Sequence, residues 1–254
     1  MIVCADDYGW SDDANRAIVE LVAARRVSAV SCMAGLPHCA PDNLKPLLEH
    51  ADHIDVGLHF TVTARFLDGD RFERSVPARL VNFFSALKSC VLRKITPAQA
   101  REEIAAQYQR FAERTGRLPD FIDGHLHVQQ LPVLADAMIQ FVENIPVGNR
   151  PYVRNSYMPF AKIRAQGVSF WRSASISMSG KQFRRRLAAS RPAAWRPTTV
   201  LPACTIIGTG VDTATFWAYS RRTWNRRLEF SWCILGSRNH GVAQSLKRCA
   251  RPLF

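Results

Sequence analysis

Two adjacent carboxylates, Asp6 and Asp7, follow the apolar run MIVCA at residues 1–5. His59 lies at the end of IDVGLHF (54–60), and His125 and His127 lie at the end of FIDGHLH (121–127). One carboxylate with two imidazoles is a donor set for a divalent cation of the zinc, cobalt, nickel or manganese type. It leaves coordination positions for water and substrate. The second carboxylate of the pair could take a proton from water whose pKa the cation lowers. Each piece also has a plainer reading. An Asp-Asp pair is commonly a solvated turn, and a lone histidine after Gly57-Leu58 is commonly a hydrogen-bonded strand end. His125 and His127 share one face if the segment is a strand, since strand side chains alternate with period two. That suits either a metal or a structural contact. The three pieces together, each at the end of an apolar stretch, weigh more than any one alone.

These residues need elements that bring them together. Residues 1–5, 27–33, 54–60, 121–127 and 152–154 read as short buried strands. Between them, helical periodicity covers 13–26, behind a cap at Ser11 or Asp12, and also 40–51, 96–115 and 131–143. Thr96-Pro97-Ala98-Gln99 has a capping residue, a proline at the first helical position and a glutamine at the third. Gly116 ends that helix. Residues 61–95 are irregular and read as an excursion over the site. Alternating short strands and helices predict an α/β fold of mainly parallel strands. In such folds functional groups collect at the C-terminal ends of strands.

The 254 residues are 47% apolar and 22% charged, ordinary globular composition with enough apolar side chain for a core. This excludes a disordered tail, a collagen-like repeat and a disulfide miniprotein. No run reaches the roughly eighteen apolar residues of a membrane span. Acids at positions 6 and 7 interrupt the stretch that a secretory signal would keep apolar, so a cytoplasmic protein is expected. Seven cysteines without a CxxC spacing read as free thiols. The net charge of +13 would suit a nucleic-acid partner, but its distribution does not. Residues 190–254 carry ten Lys/Arg against two acids, whereas 1–189 carry 24 against 19. The excess sits in a tail of unusual composition without an aromatic–basic motif, and no nucleic-acid partner is expected. The oligomeric state is left open.

At these same residues the chain resembles the YdjC family, which includes the ChbG- and HpnK-type proteins. The matching stretches are MIVCADDYGWSDDANRAI, VSAVSCMAG, DVGLHF, EEIAAQYQRFAERTGRLPDFIDGHLHVQQLP and YVRN, in the family's order over residues 1–189. The resemblance implies a NodB-like distorted (β/α) barrel that binds one divalent cation, of the magnesium or zinc type. The implied reaction is removal of N-acetyl groups from acetylated amino sugars or short oligosaccharides. It further implies Asp7, His59 and His125 as metal ligands, Asp6 as the catalytic base, and His127 as a neighbour that orients substrate or a ligand. Gln129 stands where the family often has another histidine, a departure expected to alter the rim rather than the metal.

The larger departure lies in residues 190–254, which lack the family's TND…YDY segment and its HPG motif. Combining the third base of each codon with the first two of the next, from Arg196 onward, permits T-N-D-G-x-x-G-L-Y-D-Y-R. Over residues 233–236 the same displaced reading permits H-P-G. Two family motifs in one displaced frame, in the right order, imply a frame slip near residues 188–193. The expectation is a YdjC-like domain over 1–189, an atypical basic tail over 190–254 and a barrel incomplete at its C-terminus. The alternative to an active deacetylase is an impaired remnant that binds metal or sugar without turnover.

Overall fold

The computed structural model describes residues 2–63, 83–157, 159–165, 167 and 169–189, with the short strands at 206–207 and 233–234. Five strands alternate with helices: β1 (Cys4–Tyr8), α1 (Asp12–Ala23), β2 (Ala29–Cys32), α2 (Pro41–Leu48), β3 (Asp55–Phe60), α3 (Phe83–Val91), α4 (Pro97–Thr115), β4 (Phe121–Gly124), α5 (Leu134–Glu143) and β5 (Tyr152–Val153). Two more helices, α6 (Phe160–Ala165) and α7 (Phe170–Ala189), follow, then β6 (Ile206–Ile207) and β7 (Cys233–Ile234). The sheet runs β5-β4-β3-β2-β1-β6-β7, and every described pairing is parallel. The α/β class expected from the alternating pattern is observed. Among the described residues no pairing joins β5 to β7. Of the expected excursion at 61–95, residues 64–82 lie outside the described residues and 83–91 form α3.

Nearly every residue of β1 to β4 is buried, polar ones included, because both faces of the sheet are covered. Val30, Val56, Leu58 and Ile122 are fully buried, with Ile18, Val22, Ile104, Phe111 and Met138 from the helices in the same core. The helices begin where their sequences say they should. Ser11 Oγ accepts from Ala14 N at 3.2 Å, with Asp12 and Asp13 in the first turn of α1. At α4, Thr96 and Gln99 form the reciprocal capping box, and Gly116 at φ 70° terminates the helix. Gly57 admits the Phe121 ring from β4, which a Cβ at position 57 would meet at 2.5 Å. Just past β3, the Gln107 side chain of α4 takes the role of a neighbouring strand. Its Oε1 accepts from Thr61 N at 3.0 Å, and its Nε2 donates to Thr61 O at 2.8 Å. This fixes the end of β3 that carries His59.

One local expectation is corrected. The stretch 121–127 is not a single strand: β4 stops at Gly124 and residues 125–130 turn as a short 3₁₀ segment. Leu126 and His127 have φ of 53° and 61°. His125 and His127 are therefore placed by a left-handed turn, not by strand alternation.

Among the described residues no helix is long and apolar enough to cross a membrane.

Candidate metal centre

β1 delivers two consecutive carboxylates to one buried network, Asp7–His59–Asp123–Arg154–Asp6, although neighbouring side chains of a regular strand face opposite ways. The backbone solves this with a bulge. From Ala5 to Tyr8 the strand takes three steps while β2 takes two, from Val30 to Cys32. Asp7 sits at φ 69°, a left-handed conformation that aspartate tolerates better than most residues. The bulge re-aims the side chains at the strand end.

Asp7 Oδ1 lies 3.1 Å from His59 Nε2 and 2.8 Å from His125 Nδ1. Ligand atoms of the three residues all fall within 4.8 Å of one another, and all three side chains are buried. The sequence brought these residues into one proposed site, and the fold brings them together. Burial alone would raise the Asp7 pKa, but the hydrogen bonds from His125 and His59 outweigh it and hold the carboxyl well below its usual range.

Behind His59 stands Asp123, which the sequence reading did not single out. His59 Nδ1–H donates to Asp123 Oδ1 at 2.7 Å, leaving Nε2 turned toward Asp7. Ser31 Oγ also donates to Asp123 Oδ1. Burial lowers the His59 pKa, but the charge and hydrogen bonds of Asp123 and Asp7 more than reverse this, lifting it to about 10. A carboxylate on the far nitrogen of a histidine fixes the tautomer and the ring orientation that a metal ligand needs.

Asp6 faces Arg154, which follows β5. Arg154 Nη1 donates to Asp6 Oδ1 at 2.8 Å and Nη2 to Asp6 Oδ2 at 2.6 Å. The same Nη2 lies 2.8 Å from Asp123 Oδ2. One buried guanidinium thus balances two buried carboxylates. Cys4, Asp6 and Asp123 form a second cluster with metal-ligand spacing, but Arg154 already supplies its positive charge. Burial and the neighbouring Asp6 push the Cys4 thiol well up, so it is not the thiolate that metals prefer.

His127 is buried in the same environment. Burial first, and then the Arg154 charge, depress its pKa to about 3, so its ring is neutral. Gln129 is fully buried, not at the rim as expected, and its Nε2 donates to Arg154 O at 3.2 Å. The departure from histidine at 129 thus supports the backbone of the arginine that holds Asp6. The donor set of one carboxylate and two imidazoles fits a zinc-type cation better than magnesium, which favours all-oxygen coordination.

The YdjC family, described as YdjC-like protein, matches residues 1–225. A chitooligosaccharide deacetylase of Escherichia fergusonii is 30% identical over 183 residues, 66% of this chain and 67% of that protein. One of Proteus mirabilis is 30% identical over 156 residues, 56% and 55% of the two chains. A carbohydrate deacetylase of Mus musculus is 31% identical over 147 residues, 54% and 46% of the two. The chain spans about half to two thirds of the length of these curated relatives. A solved structure from Enterococcus faecalis V583, described as a cellobiose-phosphate cleavage protein, shares the fold. Its TM-score is 0.55 at 16% identity, over 96% of this chain and 83% of that one.

Proposed function

Because the chain belongs to the YdjC family, we propose that it is a metal-dependent hydrolase that removes N-acetyl groups from acetylated amino sugars or short oligosaccharides. The observation that carries this is the meeting of Asp7, His59 and His125, with Asp6 held by Arg154 and linked to them through Asp123. Asp7, His59 and His125 would hold one divalent cation, of the zinc type on the donor argument. Bound there, the cation would polarise the amide carbonyl and lower the pKa of water.

The chain's own residues supply the rest. Arg154 grips both oxygens of Asp6 and fixes the carboxylate plane, so that Asp6 can take the proton of the attacking water. Asp123 keeps His59 Nε2 directed at the site. His127, neutral and beside Arg154, orients substrate or a ligand. Water adds to the acetyl carbon, the C–N bond breaks, acetate leaves and the sugar keeps the amine. Release of acetate from an N-acetylated chitooligosaccharide with added zinc tests this. Turnover that disappears in Asp6→Asn, with zinc still bound, is the expected result. Undiminished turnover in that variant removes Asp6 as the base.

A second reading is an impaired remnant that binds metal or sugar without turnover. It is favoured by residues 190–254, where the family's HPG histidine has no counterpart in the encoded frame. The leaving amine needs a proton donor, and that histidine is the family's candidate. On this reading residues 1–189 are the YdjC-like unit and 190–254 a tail read out of frame. Zinc binding without acetate release would favour the remnant over the active enzyme.

A further inference from the structure

We infer that Trp10 is a carbohydrate platform at the mouth of this site, stacking the apolar face of a pyranose ring. The inference rests on the deacetylase reading and adds to it a surface for recognising sugar. The Trp10 indole lies 5.5 Å from the His125 ring, centroid to centroid, with the planes tilted by 39°. Its exposure is 40%, whereas Asp6, Asp7, His59 and His125 are each below 10% exposed. Solvent therefore meets an aromatic surface directly beside the polar cluster. Trp171 is more exposed, but its ring neighbour is Phe170 and not a residue of the site.

The backbone that carries the indole is also held in place. The backbone N–H of Trp10 donates to Asp7 O at 3.1 Å, so the platform and the carboxylate share one tight turn. Gly9 makes that turn at φ +96°, where its Cα packs so closely on Cys39 that a Cβ would lie 2.7 Å from Cys39 Cβ. Gly9 N donates to Asn15 Oδ1 at 2.6 Å, and Asn15 Nδ2 donates to His38 O at 2.8 Å. Immediately after Trp10, Ser11 caps α1. An exposed large aromatic on a backbone fixed from three sides is pre-organised, and little ordering entropy is lost when a ligand stacks on it.

The chemistry fits a sugar ring. One face of a pyranose presents several C–H groups and no hydroxyl, and the negative face of an indole attracts polarised C–H groups and buries them from water. The indole lies against the His125 ring, so a single sugar ring on it can present its acetamido group to the cluster. Apolar lining with a few convergent polar groups is the usual make-up of a small-molecule site.

The test measures binding, so it does not depend on turnover. Titration calorimetry with N,N′-diacetylchitobiose and, separately, with zinc alone compares wild type, Trp10→Phe and Trp10→Ala. The expected result is sugar affinity weakened about tenfold in Trp10→Ala, largely recovered in Trp10→Phe, and zinc affinity unchanged in both. Equal sugar affinity in wild type and Trp10→Ala overturns the platform and leaves the deacetylase reading standing. Zinc affinity weakened in step with sugar affinity also overturns it, because the indole would then act by packing His125. No sugar binding by zinc-loaded wild type overturns the deacetylase reading itself, and the platform with it.

Discussion

His59 is held from both sides: Asp123 Oδ1 lies 2.7 Å from its Nδ1, and Asp7 Oδ1 lies 3.1 Å from its Nε2. The ring cannot rotate without losing a buried hydrogen bond, so its outward nitrogen is set before any ion arrives. Asp123→Asn keeps an acceptor for Nδ1–H but removes the charge. Zinc affinity should fall about 10–100-fold, measured by competition with a chromophoric chelator. Unchanged affinity would make Asp123 only a folding residue.

Arg154 neutralises Asp6 and Asp123 together at 7% exposure. Arg154→Met leaves Asp6 buried without its counter-ion, while Asp123 keeps only His59, and should cost about 3–5 kcal/mol in denaturant unfolding. Arg154→Lys keeps the charge but loses the two-armed grip on Asp6. It should fold, bind zinc and lose about 10²-fold in any acetate release, the scale of a catalytic group misplaced by about 1 Å. Full activity in Arg154→Lys would show that the orientation of Asp6 does not matter.

Stability should fall on the acid side. His127 takes up a proton near 6.5 in the unfolded chain but only near 3 when folded. The stability linked to it is present above pH 6.5 and is lost as pH drops toward 3, by about 1.4 kcal/mol per pH unit for one proton. Denaturant unfolding of metal-free His127→Gln between pH 6.5 and 4 should show a slope shallower than wild type by about one proton. Equal slopes would mean that His127 is not the buried neutral group.

The coding sequence offers a separate check. β6 and β7, which extend the sheet past β1, fall at Ile206–Ile207 and Cys233–Ile234, inside the two stretches where the displaced frame permits L-Y-D-Y-R and H-P-G. Correcting the frame near residues 188–193 should give a chain that unfolds cooperatively at higher denaturant and releases acetate faster. Codons that cannot encode those motifs would end the frame-slip proposal.

Local signals explain what was legible. The capping box at Thr96, and each short apolar stretch with the polar residues that follow it, can be read from a few consecutive positions. They sufficed to point to the Asp6-Asp7 pair, His59 and the His125/His127 pair as one site, and the family resemblance singled out Asp7, His59 and His125 as ligands. The supporting residues were hidden because their partners are remote. Arg154 reaches Asp6 across 148 positions, which only the β5-β4-β3-β2-β1 order reveals, and Asp123 gains its meaning from β4 lying beside β3. The 3₁₀ turn at 125–130 was misread because His-Leu-His has the same period-two pattern as a strand. Left-handed conformations at Leu126 and His127 leave no mark in residue type. Gln129 was assigned to the rim because nothing local shows that its amide meets the Arg154 carbonyl.

The most direct measurement is bound zinc per chain, by atomic emission after gel filtration, for wild type, Asp7→Ala, His59→Ala and His125→Ala. The account predicts about one ion per wild-type chain and near-complete loss in each variant, with far-ultraviolet circular dichroism unchanged. Retention of the ion in any folded variant would contradict a centre built on all three residues.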